Sequence, residues 1–414
     1  MPSSTFALRL ATEPVVNVTL EQVAREGARR ALQKAIEDEV AQYVEANQHH
    51  VDESNHRLVV RNGHHRPRTI LSGVGPIEVR QPRVDDRRVD ENGVRFRFTS
   101  KLLPRYLRKT RAIEELVPWL YLKGISTGEM PDALVHLGFD GSGLSATSVT
   151  RMLATWQGEY QDWSKRDLSG RHYVYVWADG LYFGCRLTDD RPCLLVLMGA
   201  TADGKKELIA MVDGQRESET SWSSLLLDCK ARGLTVAPKL ATGDGSLGFW
   251  IALGKVFPAT RQQRCWVHKT LNVLDKLPKG EQAAAKRLLH EIWMSARRED
   301  ATRAFDRFIQ IYGAKWPRAT ACLEKDRAEL LAFYDFPAEH WQHLRTSNPI
   351  ESTFATVRLR TYRTKGPGSR EAGLAMAFKL ARKAEASWRK LNGSEKLQDL
   401  IDGIVYVDGE RIAA

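Results

Sequence analysis

The chain has 414 residues, 43% of them hydrophobic; that is more than one core absorbs, so two to four domains are expected. No apolar run nears the roughly 18 residues a membrane span needs, and the opening MPSSTFALRLATEPVV lacks the basic-then-apolar pattern of an export signal. These absences favour a cytoplasmic protein without membrane contact; Lys and Arg number 62 against 51 Asp and Glu, a net charge of +11 that favours a polyanionic partner.

Residues 1–15 show no periodicity and read as a loose tail. Thr19 and Gln22 then make a capping box, and Val23, Leu32, Ile36, Val40, Tyr43 and Val44 recur at helical spacing. Such a face either packs on a neighbouring domain or pairs with its copy in a dimer. Between residues 56 and 111 the composition shifts: 15 Lys or Arg stand against 5 Asp or Glu, so about ten of the eleven net charges fall in these 56 residues. The run RNGHHRPRTILSGVGPIEVRQPRVDDRR reads as two short strands around a Gly-Pro turn, arginines alternating with apolar residues. Arg61, Arg66 and Arg68 are expected on a phosphate backbone, a solvated basic face being the plainer alternative. His49, His50, His64 and His65 lie nearby, but no cysteine is in reach to complete a zinc site.

From 104 to 163 the pattern is helical. One helix over about 107–123 stops at Gly124; Ser126 and Glu129 cap a second, which runs to about Leu137 and closes at Gly138; Ser145 caps a third, ATSVTRMLATWQGEYQDW. Two short helices joined by a Gly-containing turn, the second presenting Ser148, Thr150 and Arg151, suit a helix-turn-helix that touches bases with its first turn; an ordinary helical hairpin fits the same pattern. The polar SKRDLSGR (164–171) marks a boundary.

Beyond it the period is that of strands: 173–178, 181–186, 194–200 and 206–212 are apolar runs separated by Gly, Asp and Pro turns. SETSWSSLLLDCKARGL is an amphipathic helix stopped by Gly233, and a further strand over 236–241 empties into Thr242-Gly243-Asp244-Gly245. The expectation is an α/β (mixed α+β) sheet with helical cover. In VFPATRQQRCWVHKTLN, Cys265 and His268 are half of a zinc site without a second pair, and read as structural groups near a site. The other cysteines, Cys185, Cys193, Cys229 and Cys322, have no framework spacing and are expected as thiols. Residues 277–336 are helical throughout, an all-α insertion. In LRTSNPIESTFATVRLRTYRTKG, Ser347 or Asn348 caps a helix opening at Pro349, with Glu351 in its first turn and Arg358, Arg360 and Arg363 beyond. A basic amphipathic helix covers 372–390, and GIVYVDGERIAA ends the chain as a short hairpin.

Three carboxylates stand out: Asp179 inside an apolar run, Asp244 just past a strand, Glu351 at a helix start. Alone, Asp244 is an ordinary turn residue and Glu351 an ordinary complement to a helix dipole. Together they suit phosphodiester chemistry, which two Mg2+ ions about 3.5–4 Å apart support on carboxylate oxygens, with Mn2+ as a substitute. Spacing does not establish that they converge.

The segments DGLYFGCRL, ESETSWSSLLLDCKARGL, ATGDGSLGFWIAL, FPATRQQRCWVHKTLN and TSNPIESTFATVRLRT, with RNGHHRPR, QPRVDD and LSATSVTRML upstream, resemble the transposases of bacterial insertion sequences related to eukaryotic Mutator elements, over roughly residues 55–370. The resemblance implies an RNase H-like catalytic core with an α-helical insertion, a DDE triad of Asp179, Asp244 and Glu351, and a Cys-x-x-His element matched by Cys265 and His268. It implies binding of double-stranded DNA at terminal inverted repeats, end cleavage and strand transfer, a homodimer on paired ends, and a nucleoid-associated protein; Arg358 and Arg360 would meet phosphates near the site. The layout expected is an N-terminal helix (1–55), a basic β-module (56–103), a helix-turn-helix-like domain (104–165), the first part of the core (172–270), the helical insertion (271–340), and completion of the core with a C-terminal helix (341–414). A catalytically degenerate DNA-binding regulator and a nuclease that cuts without joining are the rival readings.

Overall fold

The computed structural model describes residues 19–123, 125, 129–136, 146–182, 193–214, 216–245, 247–363 and 369–412. They belong to two compact units, Met1–Thr150 and Arg151–Ala414. The chain is mixed α/β, with a helical N-terminal region and a mixed sheet.

In the first unit α1 (Leu20–Ala46) opens on the expected capping box: the Gln22 amide donates to Thr19 Oγ1 at 3.3 Å and the Thr19 amide to Gln22 Oε1 at 3.0 Å. Strands β1 (Val59–His64), β2 (Arg68–Ser72), β3 (Gly75–Val79) and β4 (Pro82–Asp86) follow. Ile36 of α1 joins Ile70, Ile77, Val79 and Leu103 in a small core, so part of that helical face is spent on packing within the unit. Leu20 and Val23, at its N-terminal end, stay exposed. β2 and β3 form the hairpin, but Ser72 pairs with Gly75, which puts the turn at Gly73-Val74 and makes the Gly-Pro pair the start of β3. Gly75 enters the strand at φ +102°, a value that favours glycine. β1 and β4 add a second antiparallel pair around this hairpin. α2 (Arg111–Lys123) and α3 (Met130–His136) complete the unit. The expected caps and stops at Gly124, Ser126, Leu137, Gly138 and Ser145 lie outside the described residues.

α4 (Ala146–Ser164) leads into the second unit, whose sheet is made of β5 (Tyr173–Tyr182), β6 (Cys193–Thr201), β7 (Lys206–Gly214), β8 (Leu240–Gly243) and β9 (Arg261–Arg264). Their order is β7-β6-β5-β8-β9; β5, β6 and β7 are antiparallel neighbours, and β8 and β9 run parallel to β5. Two expectations are corrected here. β5 does not turn at Asp179-Gly180, because these residues keep pairing with Val196 and Leu195 of β6. The segment Arg261–Arg264, too polar to announce a strand, is one because β8 offers it a free parallel edge. Helices α5 (Glu219–Ala231) and α6 (Leu247–Val256) cover one face, where Trp222, Leu225, Phe249 and Leu253 pack with Val176, Ala178, Leu195 and Leu197. Gly233, at φ +107°, ends the α5 segment as its sequence suggests.

All five strands precede the helical block: α7 (Trp266–Leu274), α8 (Lys279–Met294), α9 (Arg298–Tyr312), α10 (Pro317–Glu324), α11 (Arg327–Leu330) and α12 (Trp341–Leu344). Then come α13 (Asn348–Arg363), α14 (Arg370–Glu385), α15 (Leu397–Ile401) and the closing hairpin β10 (Tyr406–Val407) and β11 (Glu410–Arg411). Cys193, Cys229, Cys265 and Cys322 are free thiols, and Cys185 lies outside the described residues. Among the described residues no helix is long and apolar enough to cross a membrane.

Candidate active site

The site is built where β8 ends beside β5, which itself runs on to Tyr182. Their last paired residues are Trp177 with Thr242 and Ala178 with Gly243, so Asp179, still in β5, and Asp244, just past β8, are the next residues on the two neighbouring segments. Alternation along β5 puts Trp177 and Asp179 on the face opposite the α5–α6 layer. On that face the Trp177 indole donates to the His343 carbonyl at 2.8 Å, and Thr242 Oγ1 to the Leu344 carbonyl at 2.9 Å. The Trp266 amide reaches the Arg345 carbonyl at 2.8 Å, and the Ser347 amide reaches Cys265 Sγ at 3.3 Å. Residues 343–347 are thus pinned to β5, β8 and the start of α7, and α13 starts there with Glu351 in its first turn.

Asp179 is buried, 8% exposed, and its carboxyl is pushed up to about 7. Burial is the main cause; the His268 charge opposes it, and the carboxylates of Asp244, Glu217 and Glu351 add to it. Asp179 therefore senses both other expected acids, with Glu217 as a further one that the sequence reading passed over. Gly180 makes room for it, since a β-carbon there would collide with the Glu217 carboxylate.

Glu351 Oε1 accepts from Ser347 Oγ at 2.8 Å and lies 3.7 Å from His268 Nδ1. His268 is raised to about 9: its hydrogen bond with Cys265 is the largest cause, burial works against it, and the charges of Cys265, Glu351 and Asp179 assist. One ligand-type atom from each of Cys265, His268 and Glu351 falls within 4.8 Å of the others. Asp244 is fixed through its backbone, whose carbonyl accepts from Trp250 Nε1 at 2.9 Å and Arg264 Nη1 at 2.5 Å. Arg264 stacks over the Trp250 ring at 5.0 Å, and its Nη2 lies 3.5 Å from Asp326 of the helical block, which also takes Lys269 Nζ. Arg264 and Lys269 showed in the sequence only as cations among apolar residues; nothing around Asp326 singled it out.

Arg358 is exposed on α13 seven residues after Glu351, hence two turns along the same face. Arg360 lies in α13 and Ser148 in α4, with side chains outside the described ones; Thr150 and Arg151 are exposed on α4. In the first unit Arg61 and Arg66 are exposed, and Arg61 Nη2 lies 3.0 Å from His64 Nε2. Arg68 donates to the carbonyls of Leu103, Pro104 and Arg105 at 3.2, 3.0 and 2.6 Å, so its guanidinium braces the backbone. Arg66, Arg68, Arg83, Arg97, Arg105 and Phe96 are among the residues lining a cleft of ≈ 590 Å³.

The family model "Transposase, Mutator family" matches residues 4–390, and the chain belongs to that family. It is 51% identical over 297 residues to the transposase for insertion sequence element IS6120 of Mycolicibacterium smegmatis, covering 72% of this chain and 92% of that one. It is likewise 51% identical over 288 residues to the transposase for IST2 of Acidithiobacillus ferrooxidans (68% and 95% covered), and 27% identical over 380 residues to that for ISRM5 of Rhizobium meliloti strain 1021 (91% of each).

Proposed function

We propose that this transposase binds the terminal inverted repeats of an insertion sequence in double-stranded DNA, cleaves the ends and transfers the strands, working as a homodimer on paired ends. On this reading its mixed sheet is an RNase H-like core, and Asp179, Asp244 and Glu351 are the metal ligands. What supports the reading is that the pairing of Ala178 with Gly243 puts Asp179 and Asp244 next to one another in register, and that Asp179 feels the charge of Glu351 from a distant part of the chain. The donor set fits Mg2+: the three are hard oxygen ligands, and burial, with the charges of Asp244 and Glu351 adding to it, raises the Asp179 carboxyl, which a dication would return to its charged form. Bound there, two Mg2+ ions, or Mn2+ in their place, would activate the attacking oxygen and stabilise the leaving one.

The protein's own groups have separate tasks. β5 and β8 set the spacing of Asp179 and Asp244, and Arg264 and Trp250 hold the turn that carries Asp244. Arg358, on the Glu351 face of α13, would meet a phosphate flanking the cleaved bond, with Arg360 on the same helix. Arg61 and Arg66 on the first unit, and Ser148, Thr150 and Arg151 on α4, are the groups for holding the ends.

The test is Asp179→Ala on a supercoiled plasmid carrying the DNA that flanks the coding sequence. It should bind the ends as the parent does and lose Mg2+-dependent nicking; equal nicking by both proteins overturns the triad. Pre-cleaved ends incubated with a target plasmid should give joined products, which a nuclease that only cuts does not make.

A further inference from the structure

We infer that Ser347 is a positioning residue for the metal-ligating carboxylate of Glu351, an inference that rests on the reading of Glu351 given above. By its backbone Ser347 is the N-cap of α13: its carbonyl accepts the amides of Ile350 at 2.9 Å and Glu351 at 3.1 Å. A serine in this position ordinarily turns its hydroxyl to the second or third amide of the helix. Here the hydroxyl goes to a side chain instead, reaching Glu351 Oε1 at 2.8 Å.

The rest of its surroundings fix that hydroxyl in place. Ser347 is fully buried, and its Oγ lies 3.3 Å from Cys265 Sγ and 3.4 Å from His268 Nδ1. Its amide donates to the same sulfur at 3.3 Å. A hydroxyl has one hydrogen; the carboxylate, at 2.8 Å, is the nearest of its acceptors, and Cys265 Sγ and His268 Nδ1 close around the same oxygen. Ser347 Oγ thereby caps the triangle formed by Cys265, His268 and Glu351. That arrangement accounts for a Cys-x-x-His pair that is not completed as a zinc site: the two residues hold the serine that holds the carboxylate. Groups that orient a ligating carboxylate in this way typically govern metal affinity by about 10- to 100-fold.

The test uses the full chain and Mn2+ alone, without DNA, with free Mn2+ followed by electron paramagnetic resonance. Ser347→Ala should weaken Mn2+ binding about 10-fold or more. Its melting temperature should stay close to that of the parent. Ser347→Thr, which keeps the hydroxyl, should bind within about threefold of the parent. Parental Mn2+ affinity in Ser347→Ala, with weakened affinity in Glu351→Ala, overturns the inference and leaves the triad standing. Equal losses in the Ala and Thr variants assign the effect to packing at this position and overturn it as well. Parental affinity in Glu351→Ala removes the carboxylate's role, and with it both readings.

Discussion

A carboxyl group buried among three other acids gives up its proton late, and Asp179 does so at about 7, burial being the first cause. The unfolded chain releases the same proton near pH 4. Between those values the folded protein binds more protons than the unfolded one, so metal-free stability should fall as pH rises through this window and stay low above it. Three pH units of separation bound the effect at about 4 kcal/mol. Asp179→Asn should accordingly raise the metal-free melting temperature at pH 8, do little at pH 4, and abolish Mg2+-dependent nicking. Parallel melting-versus-pH curves for the two proteins would refute this account of the residue. The acidity that burdens the metal-free fold is what a dication needs.

Among elements, the junction that matters most joins the helical block to the strand ends. Asp326 is buried between Arg264 of β9 and Lys269 of α7. Removing one partner of such a cluster leaves uncompensated buried charge and costs about 3–5 kcal/mol. Asp326→Ala should show that loss in urea unfolding; a change below about 1 kcal/mol would mean that the cations find water instead. A second charged knot ties α1 to β4. Asp86 is buried and takes the Tyr43 hydroxyl at 2.7 Å and two Arg88 nitrogens at 2.9 and 2.7 Å. The Arg88 hydrogen bonds, the largest cause, lower its carboxyl to about 2. The resulting stabilisation, about 2 kcal/mol, is present above the ordinary carboxylate range and lost as pH falls from about 4 to about 2. Asp86→Asn should lower the stability of the first unit at neutral pH and flatten its acid limb, as read by circular dichroism.

Over the whole molecule the charge is partitioned: nearly all of the net +11 lies between residues 56 and 111, in the first unit. Not every cation there is free for a partner. Arg68 is committed to three carbonyls, and Arg95 to the Asp86 carbonyl and the Asp85 carboxylate, whereas Arg66, Arg83 and Arg97 are exposed along the cleft. Changing these last three to Gln should weaken duplex binding and lower the slope of log affinity against log salt by about 0.9 for each phosphate left without its cation. Fluorescence anisotropy over a range of NaCl concentrations measures this, and an unchanged slope would place the DNA elsewhere on the chain.

What the sequence determined by itself is what short stretches encode. Thr19 and Gln22 specify a helix start because the bonds that make the cap span three residues, and Gly233 specifies a stop because one φ value does so. The strand-like runs around Asp179 and the motifs shared with the Mutator family are legible for the same reason. The tertiary structure alone decided which distant groups meet. That Asp179 stays within a continuous strand, that Arg261–Arg264 becomes β9, and that Arg68 turns inward all depend on partners supplied from elsewhere in the chain. The placement of the α13 start that carries Glu351 depends on four hydrogen bonds pinning residues 343–347, and Ser347 has its role only because Cys265 and His268 arrive beside it. Periodicity and capping act over a few residues; register and side-chain hydrogen bonds act across scores of them, where spacing in the sequence carries no signal.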